Sequence, residues 1–242
     1  GVTPQHLLDI LNRGRRLLFG IRAKRVKPGR DEKVLAAWNG LMLRTFAEAG
    51  AALRRADYLE AAVRNAEFLM RSMADERGRL YRSWKDGRAT LNAYLEDYTV
   101  VADGLVALYQ VTFEEHWLRE AVRLLDIVHS HFWDDTNGAA YHTADDHEVL
   151  IVRRKDFFDN AEPSGNSLAA DLLLRLAAYF DDDDFAGAAL DTLAAFAGRL
   201  NEQAVTVPQM VCAFLRSEAP KSQLVVAGHG VEALLNAYHT RF

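Results

Sequence analysis

Three polar clusters interrupt an otherwise strongly apolar sequence, and their residue types suit carbohydrate chemistry. The first is Asp31-Glu32-Lys33 with Trp38-Asn39-Gly40. The second is Asn92, Tyr94, Glu96, Asp97 and Tyr98. The third holds Asp156, Asp159 and the run Ser164-Gly165-Asn166-Ser167. Aromatic rings stack on the C–H faces of a sugar, while carboxylates and amides bind its hydroxyls. Glu96 and Asp97 are neighbours, about 100° apart on a helix, so they cannot point the same way. One caps the helix or pairs with an arginine; the other is a candidate general acid or base. Asp97 is favoured because Val101 and Gly104 share its face. A paired-carboxylate mechanism needs two groups about 5–10 Å apart. Glu96 or Asp97 with Asp156 or Asp159 would supply them.

The substrate-binding candidates are Trp38, Asn39, Tyr98, His142, Lys155, Ser164, Gly165 and Asn166. Several have a structural reading as well. Trp38 lies on a helix that reads as buried, so core packing and a ligand platform both fit. Asn39 beside it needs partners if it is buried. Ser164 after Pro163 fits an N-cap, or a sharp turn that offers backbone donors to a ligand. His142 follows Tyr141 on an expected strand, where the surface and the site are equally open to it. Arg153-Arg154-Lys155 fits either a solvated strand end or a phosphate or carboxylate contact. His129 and His131 lack the spacing to share a helix face, and His147 reads as solvated. No zinc pattern, Walker loop, G-x-S-x-G or G-x-G-x-x-G is present, so neither metal nor cofactor is expected.

Helices must position these groups, because helical periodicity dominates the chain. It predicts helices over about 3–19, 32–53, 57–73, 94–112, 114–132, 165–180, 183–200, 206–217 and 230–240. Two kinds alternate. Tyr98 to Tyr109, Leu168 to Phe180 and Leu35 to Leu53 are apolar nearly all round, so they must be buried on most sides. The last two are broken by the i,i+4 pairs Asp171/Arg175 and Arg44/Glu48. Tyr58 to Leu69 and Trp117 to Val128 are amphipathic instead. Alternation of this sort implies an inner and an outer ring of helices.

An internal repeat of about 60 residues supports the ring. Tyr58-Leu59 and Ala62-Val63-Arg64 match Trp117-Leu118 and Ala121-Val122-Arg123. Asp75-x-x-Gly78-x-x-Tyr81 matches Asp135-x-x-Gly138-x-x-Tyr141. Each copy then predicts a β-hairpin. One returns through Lys85-Asp86-Gly87, the other through Asp145-Asp146 into Glu148 to Val152. Asp184-Phe185 to Phe196 is a partial third copy. The predicted fold is all-α, an α/α toroid over residues 1–242, with the starts of its inner helices on one rim. A closed ring of twelve helices needs on the order of 350 residues at this spacing, so the ring reads as incomplete and the chain as a piece of a longer protein. An α-solenoid fits the hairpins and unequal repeats less well.

Composition narrows the partners. The net charge is −5 and the pI about 5.9, against a dedicated nucleic-acid binder. One cysteine excludes an internal disulfide and a four-cysteine zinc site. No apolar run is long enough to span a membrane, and no signal peptide is visible, so a cytoplasmic setting is expected. Asp181 to Asp184 is acidic enough for a magnesium motif, but its place between helices fits capping. Leu224 to Gly230 reads as a short strand entering a helix.

Asp31-Glu32-Lys33-Val34-Leu35-Ala36-Ala37-Trp38-Asn39-Gly40-Leu41-Met42 resembles the YyaL-like or spermatogenesis-associated thioredoxin-domain proteins. Leu95-Glu96-Asp97-Tyr98, Arg153-x-Lys155-Asp156 and Pro163-Ser164-Gly165-Asn166-Ser167 continue the resemblance in order, over nearly the whole chain. The resemblance implies a six-hairpin-glycosidase-like toroid, related to N-acylglucosamine 2-epimerases, downstream of a thioredoxin-like domain. This chain carries no C-x-x-C. Two functions follow as expectations. One is an enzyme acting on a sugar-like ligand at the rim. The other is a non-catalytic scaffold or binding domain that works with the thioredoxin-like domain in redox proteostasis.

Overall fold

A computed structural model describes residues 3–148, 151–220 and 224–239. The chain divides into two compact units, residues 1–32 and 33–242. The first holds α1 (Pro4–Ala23), capped by Thr3, whose hydroxyl accepts from the His6 amide. No residue of α1 is buried.

In the second unit, β1 (Val34–Leu35) leads into α2 (Ala36–Ala52), and α3 (Ala56–Ser72) returns beside it. Then come β2 (Tyr81–Lys85), β3 (Arg88–Asn92), α4 (Leu95–Thr112) and α5 (Glu115–Phe132). After a long irregular segment follow α6 (Gly165–Phe180), α7 (Asp183–Ala195), α8 (Ala197–Gln203), α9 (Pro208–Glu218) and α10 (Val231–His239). Helices α2, α4, α6 and α9 pack side by side as an inner row. Helices α3, α5 and α7 each pack outside the inner helix before them. This is the α/α toroid arrangement. Among the described residues, no helix is long and apolar enough to cross a membrane.

Most of α4 and α6 is buried, as their apolar sequences require. Glycine sets how closely the inner helices approach. A Cβ on Gly40 would stand 2.8 Å from the Val100 carbonyl carbon, and one on Gly104 would stand 2.9 Å from the Gly40 oxygen. A chain of ion pairs also crosses the row. Asp103 of α4 bonds Arg44 of α2 at 2.8 Å and pairs with Arg175 of α6. Asp171 of α6 bonds Arg216 of α9 at 2.6 Å. The expected Arg44–Glu48 pair closes to 2.8 Å; Asp171 and Arg175 stand 4.0 Å apart, because each turns toward another helix.

Several expectations need correction. The predicted helix over 32–53 begins at Ala36, because Val34 and Leu35 pair with β2 instead. The predicted helix over 183–200 breaks at Phe196, which is buried against Phe157 with ring centroids 4.6 Å apart. The chain turns there to bury that ring. The first hairpin forms as predicted, through Asp86 and Gly87 at φ 51° and 79°, but it gains β1 as a third strand. The second hairpin does not form among the described residues. A single bridge, Trp133 to Ala140, stands in its place. The predicted return strand includes Val149 and Leu150, which lie outside the described residues, and Ile151 and Val152 are exposed and irregular. Leu224 to Val226 is likewise no strand.

The repeat is real but its register shifts by one. The Met73 carbonyl accepts from Tyr81, and the Phe132 carbonyl accepts from Tyr141. Asp75 therefore corresponds to Asp134, not Asp135. Asp75 accepts from the amides of Arg77 and Arg79, and Asp134 from those of Thr136 and Asn137. The second turn is one residue longer before Gly138.

Candidate functional site

The starts of α2, α4 and α6 meet, and Asp97 joins the first two. It is the third residue of α4, and its carboxylate accepts from the Tyr94 amide at 2.9 Å as an N-terminal cap. Its other oxygen accepts from the Ala37 amide at the start of α2, 3.1 Å away. Gly165 brings α6 in: a Cβ there would stand 2.6 Å from Leu95 Cγ and 3.1 Å from the Glu96 amide. Asp97 has no exposed surface. Burial pushes its pKa up to about 6, against the opposing pull of the Tyr94 amide and Arg82. A rim carboxylate is expected to be partly hydrated; this one is sealed beneath the rim.

Glu96 points to the rim instead. It meets Arg82 at 3.0 Å and His142 Nδ1 at 3.2 Å. Burial works to raise its pKa, but His142 and Arg82 outweigh that and hold it below the usual carboxylate range. His142 stands 3.7 Å from Asp156 as well. Its ring stacks on Tyr94, with centroids 4.8 Å apart and planes 19° apart. Arg82 lies over the same Tyr94, 4.7 Å from its centroid, and also reaches Asp97 at 3.1 Å. A tyrosine ring is thus flanked by an imidazole and a guanidinium, with Glu96 joining the two. Trp38, 58% exposed, donates its indole N–H to Glu162 in the segment before α6.

The remaining candidates hold the framework. Asn166 is fully buried. Its oxygen accepts from the Ala140 amide at 2.8 Å, and its nitrogen donates to the carbonyls of Ala140 and Asp156 at 2.9 and 3.3 Å. Those bonds add to the backbone bonds of the second loop, in which the His142 amide donates to the Arg154 carbonyl and the His142 carbonyl accepts from the Leu95 amide. Ser164 is the N-cap of α6, accepting from the Ser167 amide at 3.1 Å. Asp159 accepts from the amides of Ser164 and Gln209, both at 2.7 Å, and so ties the entries of α6 and α9 together. Asn39 donates to the Leu35 carbonyl at 2.9 Å. Tyr98 is buried, and its hydroxyl accepts from the Leu80 amide and from Arg79. Lys155 donates to Gly138 and meets Asp134 at 2.9 Å. Arg153 donates to the carbonyls of His131 and Thr143, while Arg154 stays exposed. His147 is half-buried and lies 3.2 Å from the Ala93 carbonyl oxygen.

The sequence reading missed Arg82, yet the repeat contains it. Arg82 follows Tyr81 as His142 follows Tyr141. Equivalent positions of two copies therefore face one another across Tyr94. Away from the rim, His131, Asp145 and Asp146 come close enough to share a cation. Asp146 is already held by both terminal nitrogens of Arg79 at 2.8 Å, so a guanidinium supplies the positive charge there.

No family model matches the chain. The chain is 35% identical to human Spermatogenesis-associated protein 20 over 99% of its own length, and 36% identical to the mouse protein. It spans about a third (32%) of those curated relatives. The cellobiose 2-epimerase of Bacillus thermoamylovorans superposes with a TM-score of 0.63 at 13% identity, over 88% of this chain and 62% of that one. The GH76 α-mannanase of Bacteroides thetaiotaomicron gives 0.63 at 16% identity, over 89% and 58%. A D-mannose isomerase gives 0.55 at 14%, over 68% and 40%. At these identities the shared property is the fold, the six-hairpin glycosidase-like α/α toroid. The solved neighbours named here are carbohydrate-active enzymes.

Proposed function

We propose that the rim binds a reducing sugar and that His142 moves a proton at the carbon beside the sugar carbonyl, an isomerase- or epimerase-type reaction. The observation that carries this reading is His142 itself. Its imidazole stacks on Tyr94 and is oriented by Glu96 at Nδ1, which leaves Nε2 to take the proton. Abstraction of the C2 proton gives an enediolate. Return of the proton to C1, with the O2 proton passing to O1, gives the isomer; delivery to the other face of C2 gives the epimer, and requires a second proton donor on that face or a turn of the intermediate that presents that face to His142. Trp38 offers its ring as the stacking platform, with Asp156 as a hydroxyl acceptor. Asp97 and Arg82 position Glu96 and so act through it.

Glycoside hydrolysis fits less well. It needs a carboxylic acid that is both protonated and in reach of the leaving oxygen. Glu96 is held in its ionised form by His142 and Arg82. Asp97, whose pKa is raised, is sealed from the rim. The structural neighbours support a sugar ligand in kind, and cellobiose 2-epimerase and D-mannose isomerase are named for reactions of this type. The test is incubation with reducing sugars in D2O, read by NMR as loss of the C2 proton signal. Exchange that disappears in His142→Gln supports the reading; exchange unchanged in that variant removes it.

One observation favours a second reading, a non-catalytic scaffold. Both carboxylates at the α4 start are satisfied by Arg82. In that reading residues 1–242 are one toroid domain of a longer cytoplasmic protein, placed beside a thioredoxin-like domain and without a nucleic-acid partner. Absence of exchange and of binding for every sugar tried decides for it.

A further inference from the structure

We propose that this rim selects uncharged sugars and turns away sugars that carry a phosphate or carboxylate. The inference rests on the sugar reading above and is carried by how the rim's charges are committed. Three carboxylates reach the rim, Glu96, Asp156 and Glu162, with Asp97 sealed beneath them. Arg82 is shared between Glu96 and Asp97, at 3.0 and 3.1 Å. Arg154 stands 4.0 Å from Asp156. The other two cations of the same segment turn inward. Arg153 serves two backbone carbonyls and lies 4.3 Å from the Tyr141 ring centroid, and Lys155 holds Asp134 and Gly138. An incoming anionic group would meet these three carboxylates against Arg82, already shared by two of the chain's own carboxylates, and the exposed Arg154.

A neutral polyol meets the opposite situation. Ionised carboxylates only accept hydrogen bonds, and sugar hydroxyls donate them. Asp156 keeps part of its surface exposed, and Glu162 can accept from a hydroxyl beside its bond to the Trp38 indole. With its N–H directed at Glu162, Trp38 presents ring faces rather than a polar edge, which suits C–H groups. The expected discrimination is at least about ten-fold against a single added negative charge, and it shrinks as salt screens the rim.

The test uses matched probes: glucose, mannose and galactose, each with its 6-phosphate and its uronate. Binding is read by saturation-transfer NMR and calorimetry at about 0.03 and 0.3 M salt, a range across which screening changes strongly. The expected result is that a neutral sugar binds and its two charged counterparts bind at least about ten-fold more weakly, with the gap narrowing at high salt. In Glu162→Gln the gap should narrow further, because a carboxylate is lost while the side-chain shape is kept. A phosphate or uronate that binds as well as its neutral parent overturns this inference and leaves the sugar reading standing. Failure of all nine probes to bind removes the sugar reading, and this inference falls with it.

Discussion

The loop before α4 and the loop before α6 come from the same repeat and end in the same place, yet they are held by different means. The first, from Ala74 to Ala93, holds the β2–β3 hairpin, which β1 joins as a third strand, and backbone bonds fix it. It delivers Arg82, charged at any physiological pH. The second, from Trp133 to Asp156, has one bridge among the described residues and backbone bonds that tie His142 to Arg154 and Leu95, and it adds side-chain anchors: Asn166, Asp134, Lys155 and Arg153. It delivers His142, which can carry a proton in and out. The difference teaches that a toroid can vary the chemistry of its rim without moving the helices. The repeat fixes where the residue after the tyrosine points, and the residue type decides what it does.

The largest expected effect separates the two delivered residues. His142→Gln should lower sugar proton exchange by about 10²–10⁴-fold while leaving the melting temperature within about a degree or two of the parent, because a partly exposed ring is replaced by a polar chain of similar reach. Arg82→Gln should cost less exchange but more stability, since Asp97 stays buried and loses its cation. Equal losses of exchange in the two variants would erase the proposed division of roles.

The next contrast concerns the anchors. Asn166→Ala leaves the Ala140 amide and carbonyl without partners and should destabilise the protein by about 3 kcal/mol. Ser83→Ala, which loses a side-chain bond to Thr90 within the sheet, should cost about 1 kcal/mol. Denaturant unfolding measures both. The comparison breaks if the sheet substitution costs as much as the amide.

Asp97 gives a pH signature. Its folded pKa, near 6, lies above the usual unfolded value near 3.8, so the folded chain holds its proton more tightly. The stability this contributes is full below about pH 4, falls as pH rises to about 6 and is then level. Asp97→Asn cannot titrate. The stability of the parent minus that of the variant should therefore decline between about pH 4 and 6 by about 3 kcal/mol. Glu96 acts in the opposite sense: its lowered pKa adds stability above its unfolded value that is lost on acidification. Using the Asn variant as reference cancels most of that. A parent-minus-variant curve that rises across the window would reverse the assignment.

The smallest contrast lies in the two turns. Asp134 accepts from two backbone amides, the Asn137 side chain and the Tyr141 hydroxyl, and it meets Lys155, whereas Asp75 accepts from two amides. Asp134→Ala should lower the melting temperature more than Asp75→Ala.

Much of this molecule was legible in the sequence for one reason: helical periodicity and burial are local and repeat. The inner helices α4 and α6 declare themselves by having no wet face, and their alternation with α3 and α5 gives the layering. The clusters at the inner-helix starts could be placed together because successive inner helices run the same way. What each polar side chain does there was not legible. Glu96 and Asp97 are adjacent carboxylates of nearly the same type. Only the packing of Ala37 against the α4 start seals Asp97 and leaves Glu96 to face His142. Trp38 and Tyr98 are both aromatic residues on apolar helices, yet one is exposed and the other buried, a difference set by which neighbour covers each ring. Among the described residues the second hairpin does not form, for a related reason. Strand propensity is weak until a partner strand accepts the backbone bonds, and here Asn166 takes up those of Ala140 instead. Sequence determined where the polar groups would gather, because helix period and repeat length act along the chain. Tertiary structure decided which of them meet solvent, because hydration and pairing depend on neighbours that are distant in sequence.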